Sequence, residues 1–237
     1  MKTLVLIPHY NHPAAIARVA QTMHGFGLDV LIVDDGSREE CKPVLQALVS
    51  DGIRVLYRPI NGGKGAAVKT GLKYAEENGY SHVLQVDADG QHLPDDVPTL
   101  AKAVSETPDE IIVGNRFDPR KFGPDNARNM SSGSKTANRL SNFWLRVQTG
   151  CRLPDTQTGF RAYPLRALHG LRWITSRYEA ELELLVFAAW RNVRLRSVPI
   201  GVYYPPAEER VSHFRPRADF LRITLLNTVL TTVALAV

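Results

Sequence analysis

Residues 81–92, SHVLQVDADGQH, begin as an apolar run and end in a cluster of polar side chains. Ser81–Val86 has the length and composition of a buried strand, which ends at Asp87. Two earlier runs of strand length follow the same plan: KTLVLI over Lys2–Ile7, ending at Pro8, and VLIV over Val30–Val33, ending at Asp34. Strands that are apolar without alternation are typical of parallel sheets, because both of their faces are covered.

Helical patterns separate these strands. The other elements predicted for the first half are the helices Pro13–His24, Pro43–Val49, Lys64–Asn78 and Pro94–Ser105 and the strands Ile53–Tyr57 and Glu110–Val113. This alternation predicts an α/β fold: one Rossmann-like domain with a mostly parallel sheet and helices on both faces. Ligands of such sheets bind beyond the carboxyl ends of the strands.

The pattern is less regular after Arg116. Phe117–Asn129 is rich in Pro, Gly and charged residues, which predicts a mobile loop. The elements predicted after this loop are the helices Met130–Gln148 and Glu179–Arg191 and the strand Arg194–Ile200. Ile223–Val237 carries no charge, and its 15 residues are fewer than the roughly 20 that span a bilayer. This tail is compatible with a buried helix, an interfacial helix or the start of a longer span.

Charge and composition narrow the class of protein. Residues 1–114 carry a net charge of −5 and residues 115–237 a net charge of +10, which suggests metal binding in the first part and anion binding in the second. A hydrophobic content of 44% excludes a disordered chain, and the two cysteines, Cys41 and Cys151, are expected to be reduced thiols. Few aromatic residues lie among the arginines, which argues against nucleic-acid binding. The apolar run that ends at Ile7 is too short for a secretory signal.

The polar clusters exclude several common sites. Asn61-Gly62-Gly63-Lys64-Gly65 precedes a helix, but Lys64 is followed by glycine where a Walker A loop needs Ser or Thr. The dinucleotide fingerprint belongs after the first strand, where this chain has Pro8-His9-Tyr10-Asn11. His9 and His12 lack the helical H-E-x-x-H pattern of a zinc protease.

Asp87, Asp89 and Gln91 form the sharpest chemical signal. On an extended chain these three side chains would point the same way, and their oxygens suit Mg²⁺ or Mn²⁺. The alternative is a polar turn in which Asp89 or Gln91 caps the next helix. Asp34 and Asp35 could accept hydrogen bonds from a nucleobase or a ribose, or could instead form a side-chain turn that closes the strand.

Taken in order, the clusters resemble those of family 2 glycosyltransferases with a GT-A fold, and most closely the branch that contains dolichyl-phosphate mannose synthase and related polyprenyl-phosphate glycosyltransferases. The resemblance extends to about Asp219. The matching motifs are Ile7–Asn11 (I-P-x-Y-N), Val33–Ser37 (V-D-D-x-S), Asn61–Gly71 (N-x-G-K-G), Asp87–His92 (D-A-D-x-Q-H), Gly114–Arg116 (G-x-R), Arg128 with Ser132 (R-x-x-x-S), Asp155–Arg161 (D-x-x-x-G-F-R), Glu181 with Glu183 (E-x-E) and Val198–Ile200 (V-P-I).

The chain also departs from the family pattern. His12 stands where an acidic residue is frequent, His213 where a lysine is usual, and Ser197 where a glutamate precedes Val-Pro-Ile. These departures leave the identity of the acceptor open.

The resemblance implies sugar transfer from a GDP- or UDP-linked sugar to an acceptor, with inversion at the anomeric carbon. Its implied roles are base, ribose and nucleotide contacts for Pro8, Tyr10, His12, Asp34, Asp35 and Lys64; Mg²⁺ or Mn²⁺ binding for Asp87, Asp89 and Gln91; and phosphate contacts for Arg116, Arg128, Ser132 and Arg210.

Two classes of acceptor follow from the resemblance. A polyprenyl phosphate is already nucleophilic and needs no strong base, whereas a hydroxyl of a glycan or glycolipid needs a carboxylate to take its proton. Asp155, Glu181 and Glu183 are the candidate bases, and the alternative for the two glutamates is a solvated helix face. The rival functions are a nucleotidyltransferase and a non-catalytic nucleotide-binding protein.

The implied organisation is a catalytic domain over residues 1–219, with a nucleotide-binding half (1–116) and an acceptor-binding half (117–219), followed by the apolar tail 220–237. Arg210, Arg215, Arg217 and Arg222 precede the tail. Because basic residues beside an apolar helix attract anionic headgroups, we expect a cytoplasmic, peripheral enzyme that docks on the inner face of the membrane through Arg210–Val237. The rival expectation is that the tail packs onto the sheet or into a dimer.

Overall fold

The computed structural model describes residues 1–123, 126, 129–130, 132–204 and 216–236, without the side chains of residues 132, 216 and 217. One seven-stranded sheet runs through it. Its strands are β1 (Thr3–His9), β2 (Asp29–Asp34), β3 (Arg54–Tyr57), β4 (His82–Gln85), β5 (Ile111–Asn115), β6 (Arg161–Pro164) and β7 (Leu195–Pro199), in the order β3-β2-β1-β4-β6-β5-β7. All neighbours are parallel except β6, which runs antiparallel to β4 and β5.

Helices cover both faces of the sheet. They are α1 (Pro13–Gly25), α2 (Lys42–Ser50), α3 (Lys64–Glu77), α4 (Val97–Glu106), α5 (Ser132–Thr149), the short α6 (Leu165–Leu168), α7 (Ala180–Trp190) and α8 (Pro216–Ala236). Successive strand residues enter opposite cores: Leu4 and Leu6 pack with α3, α5 and α7, whereas Val5 and Ile7 pack with α1, α2 and α4. The predicted mostly parallel sheet with helices on both faces is therefore confirmed, and the two cysteines are free thiols.

β1 does not end before Pro8, as the sequence pattern predicted, but continues to His9. The carbonyl of Leu6 accepts a hydrogen bond from the Val86 N–H, on the β4 side, and that of His9 accepts one from the Asp35 N–H, on the β2 side. Alternate residues of a strand bond to opposite neighbours, so Pro8 faces the β4 side, beyond the last β1–β4 pair at Leu6. Its missing N–H therefore breaks no ladder bond.

β6 was not predicted from the sequence. It has four residues, RAYP, and begins with an arginine, which is among the residues least often fully buried. In the structure, Arg161 is fully buried because three backbone carbonyls, those of Thr156, Thr158 and Glu181, accept hydrogen bonds from its guanidinium. This strand separates the parallel block β3-β2-β1-β4 from the parallel pair β5-β7.

The C-terminal helix is longer than the uncharged tail. α8 begins at Pro216 and has 21 residues. Its Leu226 and Leu230 belong to the core that α3, α5 and α7 form on one face of the sheet. Its segment Ala218–Ala236 is long and apolar enough to cross a membrane by length and composition, and 22% of it is buried. The apolar segment of the helix is thus longer than the 15 uncharged residues counted from the sequence, because the helix starts before the last charged residues.

Candidate active site

A cleft of about 570 Å³ opens at the carboxyl ends of β1 and β4, between the first turns of α1 and α3. It brings together seven of the residues selected from the sequence: Pro8, Tyr10, His12, Asp35, Lys64, Asp87 and Asp89. Asn61, the first residue of the N-x-G-K-G motif, also lines it, as do Arg38, Arg177 and Tyr178, which were missed. Arg177 and Tyr178 lie far from the cleft in sequence, and no motif marked them.

The segment after β4 is a turn, which corrects the expectation of an extended chain. Residues 88–90 turn at Gly90, whose φ is +73°, and the Gln91 N–H donates a hydrogen bond to Asp89 Oδ1. Asp87 and Asp89 both reach the cleft, whereas Gln91 is not among the residues that line it. The polar turn of the alternative is thus part of the structure, but neither Asp89 nor Gln91 caps the next helical turn, Pro94–Asp96, which has no side-chain cap. Asp87 and Asp89 still present two carboxylates to the cleft.

Asp87 lies between two basic side chains and a glycine. Lys64 Nζ is 2.7 Å from Asp87 Oδ1, and His92 Nε2 is 3.6 Å from Asp87 Oδ2. Burial by itself would raise the pKa of Asp87, but Lys64 and His92 outweigh it and hold this pKa far below its usual value. A Cβ on Gly159 would lie 2.2 Å from both carboxylate oxygens, so only glycine leaves room for Asp87 there.

Glu181 is the second carboxylate that contacts the Lys64 ammonium. Lys64 Nζ lies 3.1 Å from Glu181 Oε2, and Gln85 Nε2 donates to Glu181 Oε1 at 2.7 Å. Tyr163 in turn donates its hydroxyl to Gln85 Oε1. Burial opposes the charge of Lys64, but the two carboxylates raise its pKa above the usual value, so Lys64 is a fixed cation.

Close packing of two helix starts brings Lys64 to Glu181. A Cβ on Gly65 would lie 2.2 Å from Ala180 Cβ, so the first turns of α3 and α7 approach each other only because residue 65 is glycine. The Ala66 N–H also donates to the Ser176 carbonyl. The glycines of N-G-G-K-G thus position Lys64 by helix packing.

Asp35 stabilises the glycine turn that precedes α3. Its carboxylate accepts hydrogen bonds from the N–H groups of Gly62 and Gly63 and from Arg58 Nε, the last at 2.7 Å. Asp35 is 2% exposed, and its oxygens are taken up by this turn although the residue lines the cleft.

Asp34 links the carboxyl end of β1 to the loop that follows β2. His9 Nδ1 lies 2.8 Å from Asp34 Oδ1, and the Ser37 N–H donates to Asp34 Oδ2. Burial favours a higher pKa for Asp34, but the hydrogen bonds from His9 and Ser37 lower it below the usual value. These contacts match the side-chain turn that the sequence left open, and Asp34 is not among the residues that line the cleft.

Arg116 and Asp155 form a buried two-point ion pair. Arg116 Nε and Nη2 donate to the two Asp155 oxygens at 2.7 and 2.9 Å, and the N–H groups of Arg116 and Gln157 donate to the same carboxylate. Burial opposes the charge of Arg116, but Asp155 raises its pKa above the usual value. Asp155 is 1% exposed, so it orients Arg116 and has no oxygen left to take a proton.

The two glutamates of α7 are buried, so the alternative of a solvated helix face is wrong. Glu181 is 8% and Glu183 1% exposed. Glu183 accepts hydrogen bonds from the N–H groups of Ile174 and Thr175 and from the Thr175 hydroxyl. It therefore fixes the segment before α7 and lies outside the cleft lining.

Three predicted phosphate contacts cannot be placed. Arg128 and Arg210 lie outside the described residues, as does His213, and the side chain of Ser132 is likewise not described. Ser132 is the first residue of α5.

The two carboxylates of the cleft fit a divalent cation that also binds substrate. Asp87 Oδ1 is a buried oxygen that lies 2.7 Å from the Lys64 ammonium, Asp89 lies two residues away on the same turn, and both carboxylates line the cleft. No group of three His, Cys, Asp or Glu in the described ranges could hold a metal without further ligands. Mg²⁺ is commonly held by one or two carboxylates together with substrate phosphates, so Asp87 and Asp89 would suffice.

Residues 4–171 match the sequence profile of glycosyl transferase family 2. The chain belongs to this family. Because the match covers more than half of the chain and includes the cleft motifs from Pro8 to Asp89, the protein is a glycosyltransferase with a GT-A fold, and the predicted family is confirmed.

Individual glycosyltransferases share most of the chain. A UDP-N-acetylglucosamine–dolichyl-phosphate N-acetylglucosaminyltransferase of Methanococcus voltae is 29% identical, over 84% of this chain and 85% of its own. An undecaprenyl-phosphate mannosyltransferase of Micrococcus luteus is also 29% identical, over 84% and 83%. The mannosyltransferase PcManGT of Pyrobaculum calidifontis, solved with GDP-Man and Mn²⁺, shares the fold with a TM-score of 0.58 and 15% identity, over 99% and 73%.

Proposed function

We propose that this glycosyltransferase moves a sugar from a nucleoside-diphosphate sugar to a polyprenyl phosphate, with inversion at the anomeric carbon. The choice of a phosphate acceptor rests on one observation: each of the three candidate bases is already engaged by other groups of the protein. Asp155 is bound by Arg116, Glu181 by Lys64 and Gln85, and Glu183 by backbone N–H groups. A hydroxyl acceptor needs a free carboxylate to take its proton, whereas a phosphate oxyanion does not. Relatives named for dolichyl- and undecaprenyl-phosphate support the same acceptor.

The donor would lie in the cleft, in the proposed nucleotide-binding half, residues 1–116. Pro8, Tyr10 and His12 line one wall, where they would contact base and ribose. Asp34 and Asp35 would act indirectly, by fixing the β1 and β2 loops and the glycine turn. This revises the direct contacts expected of them, because their oxygens are engaged within the protein.

Asp87 and Asp89 would hold Mg²⁺ or Mn²⁺ on the diphosphate, and Gln91 supports the turn through its backbone. A divalent cation bound there would neutralise the negative charge that builds on the departing nucleotide. Lys64 adds a fixed positive charge beside Asp87, and Arg38 and Arg177 add guanidinium groups to the cleft wall.

Arg116, oriented by Asp155, would bind the acceptor phosphate at the boundary between the nucleotide-binding half and the proposed acceptor-binding half, residues 117–219. A two-point ion pair fixes the plane of the guanidinium, and Arg116 Nη1 remains directed at Tyr204 at 3.4 Å. Arg128, Ser132 and Arg210 would complete this phosphate site.

The membrane location follows from the acceptor. A lipid phosphate must be reached at the bilayer surface, and the uncharged stretch of α8 follows Arg210, Arg215, Arg217 and Arg222. We therefore place the enzyme on the inner face of the cytoplasmic membrane, docked through residues 210–237.

The test is a transfer assay with two labelled donors, UDP-GlcNAc and GDP-Man, and two matched acceptors, a polyprenyl phosphate and the polyprenol of the same length. Both acceptors are supplied in detergent micelles with Mg²⁺ or Mn²⁺. We expect label in the lipid phase with the phosphate only, and the donor that supplies it identifies the nucleotide.

The variant Asp89→Ala tests the rival function, a nucleotide-binding protein without catalytic activity. It removes one hard oxygen ligand, so we expect it to abolish transfer and to weaken metal-dependent nucleotide binding. Transfer to the polyprenol would instead establish a hydroxyl acceptor, and wild-type activity of Asp89→Ala at saturating metal would overturn the metal assignment.

A further inference from the structure

Most of the buried residues of helix α5 are polar, and its exposed side carries an apolar stripe. Its buried residues are Asn138, Ser141, Leu145 and Gln148. Its outer side carries Leu140, Phe143 and Val147, which are 42%, 54% and 42% exposed. The three form a stripe at helical spacing, and this is the reverse of the pattern of a soluble surface helix.

Hydrogen bonds fix the rotation of α5, so the stripe cannot turn inward. Asn138 Nδ2 donates to the Pro154 carbonyl at 3.0 Å, and the Thr156 N–H donates back to Asn138 Oδ1. Near the other end of the helix, Gln148 Nε2 donates to Asn227 Oδ1 of α8 at 3.0 Å. Breaking these buried contacts would leave polar groups unsatisfied.

Basic residues flank the stripe. α5 contains Lys135, Arg139 and Arg146 and no acidic residue. Arg139 and Arg146 are both exposed, and within the ranges that the structure describes neither forms an ion pair. An apolar stripe beside basic side chains is typical of a helix that lies in the plane of an anionic membrane surface.

The outer face of α8, beside α5, has no charge after Arg222. Its exposed residues include Leu225, Val229 and Val233, with threonines between them. The hydroxyls of Thr224, Thr228 and Thr232 each donate to the carbonyl four residues earlier. Hydroxyls that are satisfied within their own helix can enter an apolar phase without losing a hydrogen bond.

We propose that α5 is a second membrane-binding element, which inserts the stripe Leu140–Phe143–Val147 into the interface of an anionic bilayer beside α8. An anionic bilayer suits this face better than a second copy of the chain, because two copies would bring the same arginines together. The inference rests on the proposed lipid acceptor for its role: Pro154 and Thr156, which anchor α5, flank the Asp155 that orients Arg116. Docking α5 would thus set the acceptor side of the cleft against the lipid.

The test measures where position 143 lies when the full chain is bound to vesicles. Cys41 is 2% exposed, so replacing Cys151 with serine leaves one reactive thiol when Phe143→Cys is added. A polarity-sensitive probe is attached there and mixed with vesicles of equal parts phosphatidylglycerol and phosphatidylcholine, without polyprenyl phosphate. The matched control carries the probe at Phe26→Cys, because Phe26 is 44% exposed and follows α1. We expect an apolar signal at position 143 and an aqueous signal at position 26.

A binding series completes the test. We expect Leu140→Gln/Phe143→Gln to weaken vesicle binding about tenfold or more and Arg139→Gln to weaken it about fivefold, whereas Phe26→Gln leaves it unchanged. An aqueous probe at position 143 in the bound protein would overturn the proposal. So would an apolar signal that rises with protein concentration without vesicles, because that signal would show a second copy on this face. The detergent assay for lipid-phosphate transfer needs no vesicle binding, so failure of the proposed function is seen separately.

Discussion

Lys64 Nζ lies 2.7 Å from Asp87 Oδ1, so the first residue of α3 holds the carboxylate that follows β4. Glu181 receives the same ammonium at 3.1 Å. A cation bound at Asp87 would have to share this carboxylate with Lys64 or displace Lys64 towards Glu181. The structure thus places a built-in positive charge where the proposed metal would bind.

We expect Lys64→Met to tighten the binding of Mn²⁺ in the absence of nucleotide, roughly tenfold, because a competing positive charge is removed from Asp87. Isothermal titration of the purified protein measures this affinity. Lys73→Met is the matched control, since Lys73 lies on the same helix with its side chain 75% exposed. Equal Mn²⁺ affinity in the wild type and Lys64→Met would show that the ammonium does not compete for this site.

Gly159→Ala should impair transfer far more than it impairs folding. The added Cβ would meet both Asp87 oxygens at 2.2 Å, so the carboxylate must move away from Lys64. We expect transfer to fall about a hundredfold, because misplacing a group in a catalytic site by an ångström costs that much. Gly25→Ala is the control, because a Cβ there meets nothing within 4 Å. Rates are compared with melting temperatures: a Gly159→Ala protein that transfers sugar normally would exclude a role for the Asp87 position.

The variant Asp155→Asn distinguishes two roles for Asp155: orienting Arg116, or taking a proton as a catalytic base. Removing one charge of this buried pair leaves Arg116 without its partner, so we expect a loss of about 3–5 kcal/mol in the free energy of unfolding. Urea denaturation measures this loss, and the transfer assay run beside it should show raised KM for the acceptor phosphate. Unchanged stability with abolished kcat is the result expected of a catalytic base, and it would contradict the assignment.

The sequence predicted the site best where chemistry and local pattern coincide. Asp87, Asp89 and Lys64 each follow an apolar strand or begin a helix, so their residue types and positions could be read together. The partner of Lys64 could not be predicted from spacing, because Glu181 reaches it only through the approach of α3 and α7 at Gly65. Buried ion pairs form between distant segments, and a sequence pattern marks each charge as exposed by default.

The same reason explains the unpredicted strand β6. Arg161 is buried because carbonyls from the loop before β6 and from α7 converge on it, and the contact with Glu181 joins residues that are 20 apart in sequence. Gly90, by contrast, was a sequence signal that could have predicted the turn after Asp87 and was not used, since a glycine at positive φ is typical of such turns.

Asp34 predicts how stability depends on pH. Burial would raise its pKa, but hydrogen bonds from His9 and Ser37 lower the pKa in the folded state. A carboxyl whose pKa is lowered by folding stabilises the protein above its unfolded pKa, near 4, and this contribution is lost as the pH falls through the folded value. We therefore expect Asp34→Asn to destabilise the protein at pH 7 by about 1–3 kcal/mol, since a hydrogen bond to a charged group is lost.

The difference between the two proteins should shrink below pH 4, where the wild-type carboxyl takes up its proton. Urea denaturation at pH 7, 5 and 3.5 follows this change, and Asp51→Asn is the control, because the bond from Gln21 to Asp51 is exposed. A free-energy difference that stays constant down to pH 3.5 would mean that the charge of Asp34 does not contribute, and that His9 is held by the shape of the site alone.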